Sequence, residues 1–111
     1  MGRTRIEPNT YVEDALVIVG HNVRIARANN QWTQTELAER AHCSTRTIAS
    51  IEAGSPTTAI AIVLRVLQVL RIPIFGEDLP QKIAEMRARS GEHVALLPER
   101  IRRVEPINVD F

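Results

Sequence analysis

Aromatic side chains are scarce in this chain of 111 residues, in which Tyr11, Trp32, Phe75 and Phe111 are the only four. The core must therefore be aliphatic, and Val, Ile, Leu and Ala supply it within a hydrophobic fraction of 44%. Cysteine is limited to Cys43, which excludes a disulfide within the chain and is typical of a cytoplasmic protein.

Long apolar runs are also lacking. The two longest, residues 15–19 and 59–64, are far shorter than the roughly 20 residues that a bilayer-spanning helix requires. The N-terminus is polar through Thr10 and does not resemble a secretory signal. The net charge is only +1, but the arrangement of charge on one face matters more for nucleic-acid binding than the sum. The composition thus argues against a membrane partner and is compatible with nucleic-acid binding.

Residue patterns that indicate catalysis or a cofactor are missing from the sequence. We find no nucleophile beside a base, no pair of carboxylates suited to a pocket and no glycine-rich phosphate loop. His21, His42 and His93 lie in unrelated segments without the spacing of metal ligands. The sequence therefore predicts no enzymatic activity, no cofactor, no metal and no small-molecule substrate.

The spacing of apolar residues predicts a helical protein. Residues 1–10 have no period and are expected to form a flexible arm. Thr10 and Glu13 have the spacing of a capping box in front of a first helix over 11–28. Its apolar positions recur every three or four residues, at Val12, Leu16, Val19, Val23 and Ala26.

Two short helices follow. Thr33 and Glu36 form a second capping box, which opens a helix that ends at residues 42–43. Ser44 can cap a third helix, and Gly54 supplies its stop. The positions expected to face inward are Leu37, Ala38, Ala41, Ile48 and Ile51.

Residues 58–70 predict a fourth helix that is apolar on almost its whole circumference. Its expected core side comprises Ile60, Val63, Val66, Leu67 and Leu70, whereas Ile62 and Val69 lie off that side. An apolar surface this wide needs a second partner to cover it. We therefore predict a homodimer with Ile62, Val66 and Val69 in its interface; the alternative is that the chain folds its own C-terminal part over this helix.

The C-terminal part carries weaker patterns. Asp78 and Gln81 indicate the start of a fifth helix that ends near Arg89. Residues 94–97 are expected to form a short strand or an apolar plug, and residues 98–111 to be extended or disordered in isolation.

Residues 33–54 are the most informative part of the sequence. Two short helices joined by a tight turn must cross at a steep angle, and Ala38 supplies the small residue that such a crossing requires. The exposed side of the third helix carries small and polar side chains at Thr45, Arg46 and Ser50. Such a face can approach base edges in the major groove without steric obstruction. The segment therefore predicts a helix-turn-helix that binds double-stranded DNA.

The segment also resembles the helix-turn-helix of the xenobiotic-response-element family, which includes the lambdoid phage repressors. The likeness covers residues 15–72 and rests on Gln34, Leu37, Ala38, Ala41, Ser44, Ile48, Ile51, Glu52 and Gly54. It implies an all-α, five-helix, lambda-repressor-like domain with the helix-turn-helix at helices 2 and 3 and an irregular or short-strand tail. His42 departs from the glycine usual at its position and would have to adopt a left-handed turn. We therefore expect a DNA-binding domain at 11–75, followed by a helix and tail at 76–111 for dimer or partner contacts.

The resemblance implies a role for individual residues. Thr45, Arg46 and Ser50 would face the bases, and Arg46 could bind a guanine through two hydrogen bonds. The DNA phosphates would be contacted by Gln34, Ser44, Thr47, Ser55 and Thr57. Arg27 and Glu52 would form a structural ion pair. Three tail arginines are equally compatible with a solvated tail and with a second phosphate-binding arm: Arg100, Arg102 and Arg103.

A narrower resemblance is to the HipB-like antitoxins encoded beside HipA-like kinase toxins. Its features are Leu16, Gly20, Arg24 and Arg27 in the first helix, the fourth helix at 64–70 and the ending at 108–111. It implies a homodimer that binds a palindromic operator, represses its own operon and neutralises a HipA-like kinase. The alternatives are a phage-type or restriction-controller repressor without a toxin partner, or a protein-binding inhibitor with a vestigial DNA motif.

Overall fold

The computed structural model describes residues 10–99. Five helices run through this range: α1 (Thr10–Asn29), α2 (Gln34–Ala41), α3 (Thr45–Glu52), α4 (Ile60–Val69) and α5 (Pro80–Ala95). Within it there is no β-sheet, and one isolated antiparallel bridge joins Ile74 to Glu77. The predicted all-α class with five helices is confirmed. The predicted arm before Thr10 and the three tail arginines lie outside the described residues.

The core is aliphatic, as the composition predicts, and lies among α1, α2, α3 and α4. Its buried members are Val23, Leu37, Ala38, Ala41, Ile48, Ile51, Val66 and Leu70. All five residues of α2 and α3 that were expected to face inward are among them. Full burial of a large aliphatic side chain contributes about 1.5–3 kcal/mol, so these contacts are the main force that holds the short α2 and α3 in place.

The boundaries of α2 and α3 are set by local hydrogen bonds. The backbone N–H of Thr33 donates to Glu36 Oε1 at 2.7 Å, and the Glu36 N–H donates to Thr33 Oγ1 at 3.0 Å. Ser44 Oγ accepts from the Thr47 N–H at 3.0 Å, which caps α3. Gly54 follows α3 with a φ of 80°. The capping box, the Ser44 cap and the glycine stop predicted for this segment are therefore confirmed.

His42 ends α2 in the left-handed region, with φ 58° and ψ 48°. A side chain with a Cβ is strained there, whereas glycine is not. We expect His42→Gly to raise the free energy of unfolding by about 0.5–1 kcal/mol, measured by urea denaturation. As the control, Glu39→Gly inside the same helix should lower it by a similar amount, because glycine is a poor helix former at an exposed helical position. A loss of stability in both variants would show that the left-handed turn carries no strain.

Four of the five residues of the fourth helical segment that were expected to face the core do so: Val66 and Leu70 are buried, and Val63 and Leu67 pack against the buried cluster. Ile60, expected to face the core, is 73% exposed, whereas Val66 is completely buried within this chain. Ile62 and Val69, predicted to lie off the core side, pack against the core and are only partly exposed. The predicted dimer interface is therefore excluded at Val66, whereas Ile62 and Val69 keep partly exposed side chains and stay a prediction. The helix begins at Ile60, two residues later than predicted.

The fifth helix also differs from the expectation. Leu79, not Asp78, precedes it, and Asp78 instead pairs with Arg71 at 3.4 Å. The helix continues through Gly91 to Ala95, so the predicted end near Arg89 and the predicted strand or plug over 94–97 are wrong. The described residues from Leu79 to Glu99 belong to a compact unit of their own, and no residue of α5 is buried. Among the described residues, no helix combines the length and the apolar character that crossing a bilayer requires.

Candidate nucleic-acid interface

One side of α3 is available to a ligand. Ile48 and Ile51 fix the opposite side in the core, and Thr45 and Arg46 are exposed. Ser50 is on the same side and is half-buried. This side of α3 therefore carries short polar side chains and one cationic side chain. A surface of this kind can enter a major groove.

The sequence analysis did not identify two alanines on this side of α3. Ala49 and Ala53 are exposed. Ala49 lies one turn after Thr45, and Ala53 lies about one turn after Ala49. Only their position opposite Ile48 and Ile51 could have identified them from the sequence. Alanine itself carries no polar group that would suggest a DNA contact. A methyl group at such a position can contact the C5-methyl of thymine.

The hydroxyl groups at the start of α3 bond to one another. Ser44 Oγ lies 2.8 Å from Thr47 Oγ1, and the Thr45 hydroxyl donates to Thr35 Oγ1 at 3.3 Å. The second contact joins the exposed edge of α3 to α2. These groups surround the N-terminus of α3, whose unpaired N–H groups and dipole favour an anion such as a DNA phosphate.

The loop after α3 is fixed to that helix. The backbone N–H of Ser55 donates to the carbonyl of Ser50 at 3.0 Å. The Thr57 N–H donates to Ser55 Oγ at 3.2 Å, and the two hydroxyl oxygens are 3.1 Å apart. Ser55 and Thr57 therefore lie in a defined turn beside the end of α3 that carries Ser50.

A network of hydrogen bonds centred on Glu52 joins α1, α2 and α3. The expected pair between Arg27 and Glu52 is present and bidentate, with Nε 2.6 Å from Oε2 and Nη2 3.0 Å from Oε1. Arg27 also donates from Nη1 to the carbonyl of Trp32 at 3.0 Å. The Glu52 side chain is 6% exposed, so its charge is largely withdrawn from water and is neutralised by these partners.

The same network contains Gln34, the residue expected to bind a phosphate. Its Nε2 donates to Glu52 Oε1 at 3.1 Å, an additional contact that the sequence does not reveal. An amide nitrogen has two N–H donors, so one of them is still available to a DNA phosphate while the other holds Glu52. The bond fixes the first residue of α2 relative to the last residue of α3.

The protonation of the pair follows from these contacts. Burial alone would raise the pKa of Glu52, but the hydrogen bonds from Arg27 and Gln34 and the charges of Arg27 and Arg24 outweigh it and hold that pKa below its ordinary value. The hydrogen bond to Glu52 raises the pKa of Arg27 further above its usual range, against the effect of burial. The pair is therefore fully ionised at neutral pH.

Trp32 and Cys43 have structural positions. Trp32 packs against the core at its edge, and the guanidinium of Arg40 lies 4.2 Å from the centre of its ring. Cys43 also packs against the core, where burial raises the pKa of its thiol despite the nearby charge of Arg65. Cys43 thus behaves as a small hydrophobic residue with a protonated thiol.

The structure brings most of the predicted DNA-contacting residues to α3 and its two ends. Thr45, Arg46 and Ser50 share its outer side, while Ser44 and Thr47 form its cap. Gln34 is joined to its last residue, and Ser55 and Thr57 follow that end. Of the residues predicted for the dimer interface, Val66 is buried in the core, and Ile62 and Val69 pack against it with partly exposed side chains.

This chain is similar to several known proteins. A helix-turn-helix family model matches residues 23–76, which include α2, α3 and α4. The HTH-type transcriptional regulator y4mF of Sinorhizobium fredii is 46% identical over 52 residues, which are 47% of this chain and 68% of that protein. A solved structure named MDT Protein is 22% identical and has a TM-score of 0.49, over 65% of this chain and 92% of that one. The chain therefore belongs to the helix-turn-helix family of transcriptional regulators.

Proposed function

We propose that this protein is a sequence-specific transcriptional repressor that acts in the cytoplasm and binds a palindromic operator in double-stranded DNA. The observation that carries the proposal is the exposed side of α3. It combines small polar side chains with Arg46, whereas Ile48 and Ile51 anchor the other side in the core. Family membership supports DNA binding and transcription regulation.

Recognition of the operator divides between base and phosphate contacts. Arg46 binds a guanine through its two parallel N–H groups, and Thr45 and Ser50 contact neighbouring base edges. Phosphate contacts fix the position of α3 on the duplex without reading sequence, and we assign them to Gln34, Ser44, Thr47, Ser55 and Thr57. Because these contacts release counterions, the affinity should fall steeply with salt concentration.

We further propose that the repressor is a homodimer. Two copies of α3, about 34 Å apart, would occupy successive major grooves of a palindrome. Val66 is buried and cannot take part in the contact between the copies, whereas Ile62 and Val69 of α4 remain partly exposed. The apolar stripe of α5 is a further candidate for this contact, because a helix of 16 residues without a buried side chain is marginal unless it is covered. The stripe comprises Leu79, Ile83, Met86 and Val94.

The antitoxin role is the finer part of the proposal. It rests on the resemblance of α1, α4 and the C-terminal residues to HipB-like proteins, which implies that the protein neutralises a HipA-like kinase. The direct test is to co-express this chain with the protein encoded immediately downstream. Restored growth, together with a stable complex, would support the role. A downstream gene without a kinase fold would favour a phage-type or restriction-controller repressor.

Substitution of Arg46 and Gln34 tests the assignment of roles at the DNA. In gel shifts with the protein's own upstream DNA, Arg46→Ala should relax the preference at one operator position, by roughly 5- to 150-fold for a contact of about 1–3 kcal/mol. Gln34→Ala should weaken binding to every sequence alike, because a phosphate contact carries no base information.

The control for the Arg46 substitution is Arg89→Ala, which removes an exposed arginine from α5, outside the helix-turn-helix. It should leave the base preference unchanged. A uniform loss of affinity in Arg46→Ala would show that Arg46 contacts only phosphate. The absence of any shift by the wild-type protein at low salt would instead favour the protein-binding inhibitor with a vestigial DNA motif.

A further inference from the structure

The outer side of α1 carries an apolar stripe that the DNA-binding function does not use. Tyr11, Ile18 and Ile25 are separated by seven residues each and are 81%, 56% and 58% exposed. Asp14 and His21 lie between them and are also exposed. Steps of three and four residues keep these side chains in one straight line along a helix, as in the seam of a coiled coil.

This stripe faces away from the rest of the helix-turn-helix. Gly20 and Val23 are the buried residues of α1, and the backbone at Gly20 lies directly against α3. Positions 11, 18 and 25 are on the opposite side of the helix from Gly20 and Val23. DNA bound at α3 would therefore leave the stripe uncovered, although large exposed apolar side chains in a row are typical of an interaction site.

The stripe is complementary to itself when reversed. Ile18 is its midpoint, with Tyr11 seven residues before it and Ile25 seven residues after it. Asp14 precedes the midpoint by four residues, and His21 follows it by three. If two such helices pack antiparallel about a two-fold axis at Ile18, each Tyr11 meets an Ile25 and each Asp14 comes within reach of a His21.

A parallel arrangement lacks this complementarity. It would place Asp14 opposite a second Asp14, and like charges at a helix interface destabilise it. In the antiparallel arrangement the imidazole N–H of His21 can donate to the Asp14 carboxylate in either protonation state of the histidine. The contact occurs twice because a two-fold interface uses the same surface on both molecules.

We infer that the Tyr11–Ile18–Ile25 stripe of α1 is an interface between two copies of this chain, which pack antiparallel about Ile18. This contact is separate from the operator-binding surface on α3. It gives the protein an association step that does not depend on DNA, and it can join molecules that are bound to neighbouring sites.

Sedimentation velocity of the full chain over a wide range of concentrations tests the inference. The wild-type protein should show an association step that Ile18→Glu removes, because two carboxylates would face each other at the axis. Ile60→Glu is the matched control, since Ile60 is a more exposed isoleucine on α4, and it should associate like the wild type. Both variants should keep the wild-type thermal midpoint at concentrations where the wild type is monomeric, because neither side chain is in the core and association itself raises the midpoint.

The charge pair tests the antiparallel arrangement itself. His21→Glu should weaken association roughly ten-fold, because it replaces two attractive contacts with two repulsive ones. The double variant D14K/H21E restores opposite charges and should recover most of that loss. A failure of this rescue would overturn the antiparallel arrangement.

The remaining outcomes separate this inference from the proposed repressor function. Ile18→Glu should still shift a single operator in a gel, because α3 is unchanged. If Ile18→Glu and His21→Glu both sediment like the wild type, copies of the chain do not meet through α1, and the inference is wrong whether or not the protein binds DNA. A wild-type mass that stays at the monomer value at every concentration would also overturn it and would leave the stripe to a different protein partner.

Discussion

Replacement of Glu52 with glutamine is expected to lower the free energy of unfolding by about 3 kcal/mol, because it leaves the enclosed guanidinium of Arg27 without an anion. Gln34 would lose a charged acceptor at the same time. Urea denaturation at neutral pH measures the effect. Glu39→Gln is the control, since Glu39 is exposed on α2, and its effect should stay within about 0.5 kcal/mol.

The contribution of Glu52 should also depend on pH in a defined direction. The pKa of Glu52 is lowered in the folded protein, so its stabilising effect is fully present above the pKa of an unfolded glutamate, about 4.3, and is lost as the pH falls through the lower folded value. The difference in stability between the wild type and Glu52→Gln should therefore be constant near neutrality and shrink in acid. A difference that grew in acid would contradict the ion pair as its source.

Replacement of Gly20 with alanine is expected to cost about 1–3 kcal/mol of stability, although alanine is the better helix former. A Cβ at this position would lie 2.6 Å from the carbonyl oxygen of Glu52 and 2.7 Å from that of Ile51. Both are backbone atoms of α3, so the clash cannot be relieved by rotation of a side chain. The helices would have to separate, and the contacts around Ile51 would loosen. Thermal and urea denaturation of the variant measure the cost.

Gly91→Ala provides a matched control for Gly20→Ala. Gly91 also lies inside a helix, but no atom is within 4 Å of the position of its missing Cβ. Alanine there should stabilise α5 by about 0.5–1 kcal/mol. If Gly20→Ala stabilised the protein as Gly91→Ala does, then α1 and α3 would not be in backbone contact at this point.

The DNA-binding surface should respond to Gly20→Ala as well. The displaced carbonyls belong to the last turn of α3. The Glu52 side chain in this turn accepts a hydrogen bond from Gln34, and the loop that contains Ser55 follows the turn. A shift of that turn would move Gln34 and Ser55, which are proposed to contact phosphates, relative to Arg46. We therefore expect weaker binding to all DNA sequences, with the base preference of Arg46 retained.

Local sequence is a good guide to α2 and α3 because the interactions that define them span only a few residues. Thr33 and Glu36 cap α2 across three positions, and Ser44 caps α3 in the same way. His42 is left-handed, as the resemblance to the xenobiotic-response-element family implied from the glycine usual at that position. The exposed side of α3 follows from the same reasoning, since buried Ile48 and Ile51 determine which residues face outward.

Prediction fails where the sequence offers no local asymmetry. The fourth helix is apolar on nearly every side, so its pattern placed most core residues correctly but not all. Ile60 was expected inside and is exposed, whereas Ile62 and Val69 were expected off the core side and pack against the core. In α5, glycine at position 91 suggested an end, but the cost of one glycine is only about 1 kcal/mol and the helix formers on both sides outweigh it.

The sequence by itself determined the class of the protein, the caps and turn of the helix-turn-helix and the identity of the residues on the outer side of α3, because each depends on neighbours along the chain. Only the tertiary structure decided the exposure of Ile60, the close approach at Gly20 and the bond between Gln34 and Glu52. These depend on residues far apart in sequence, whose distances are fixed only when all the helices share one core.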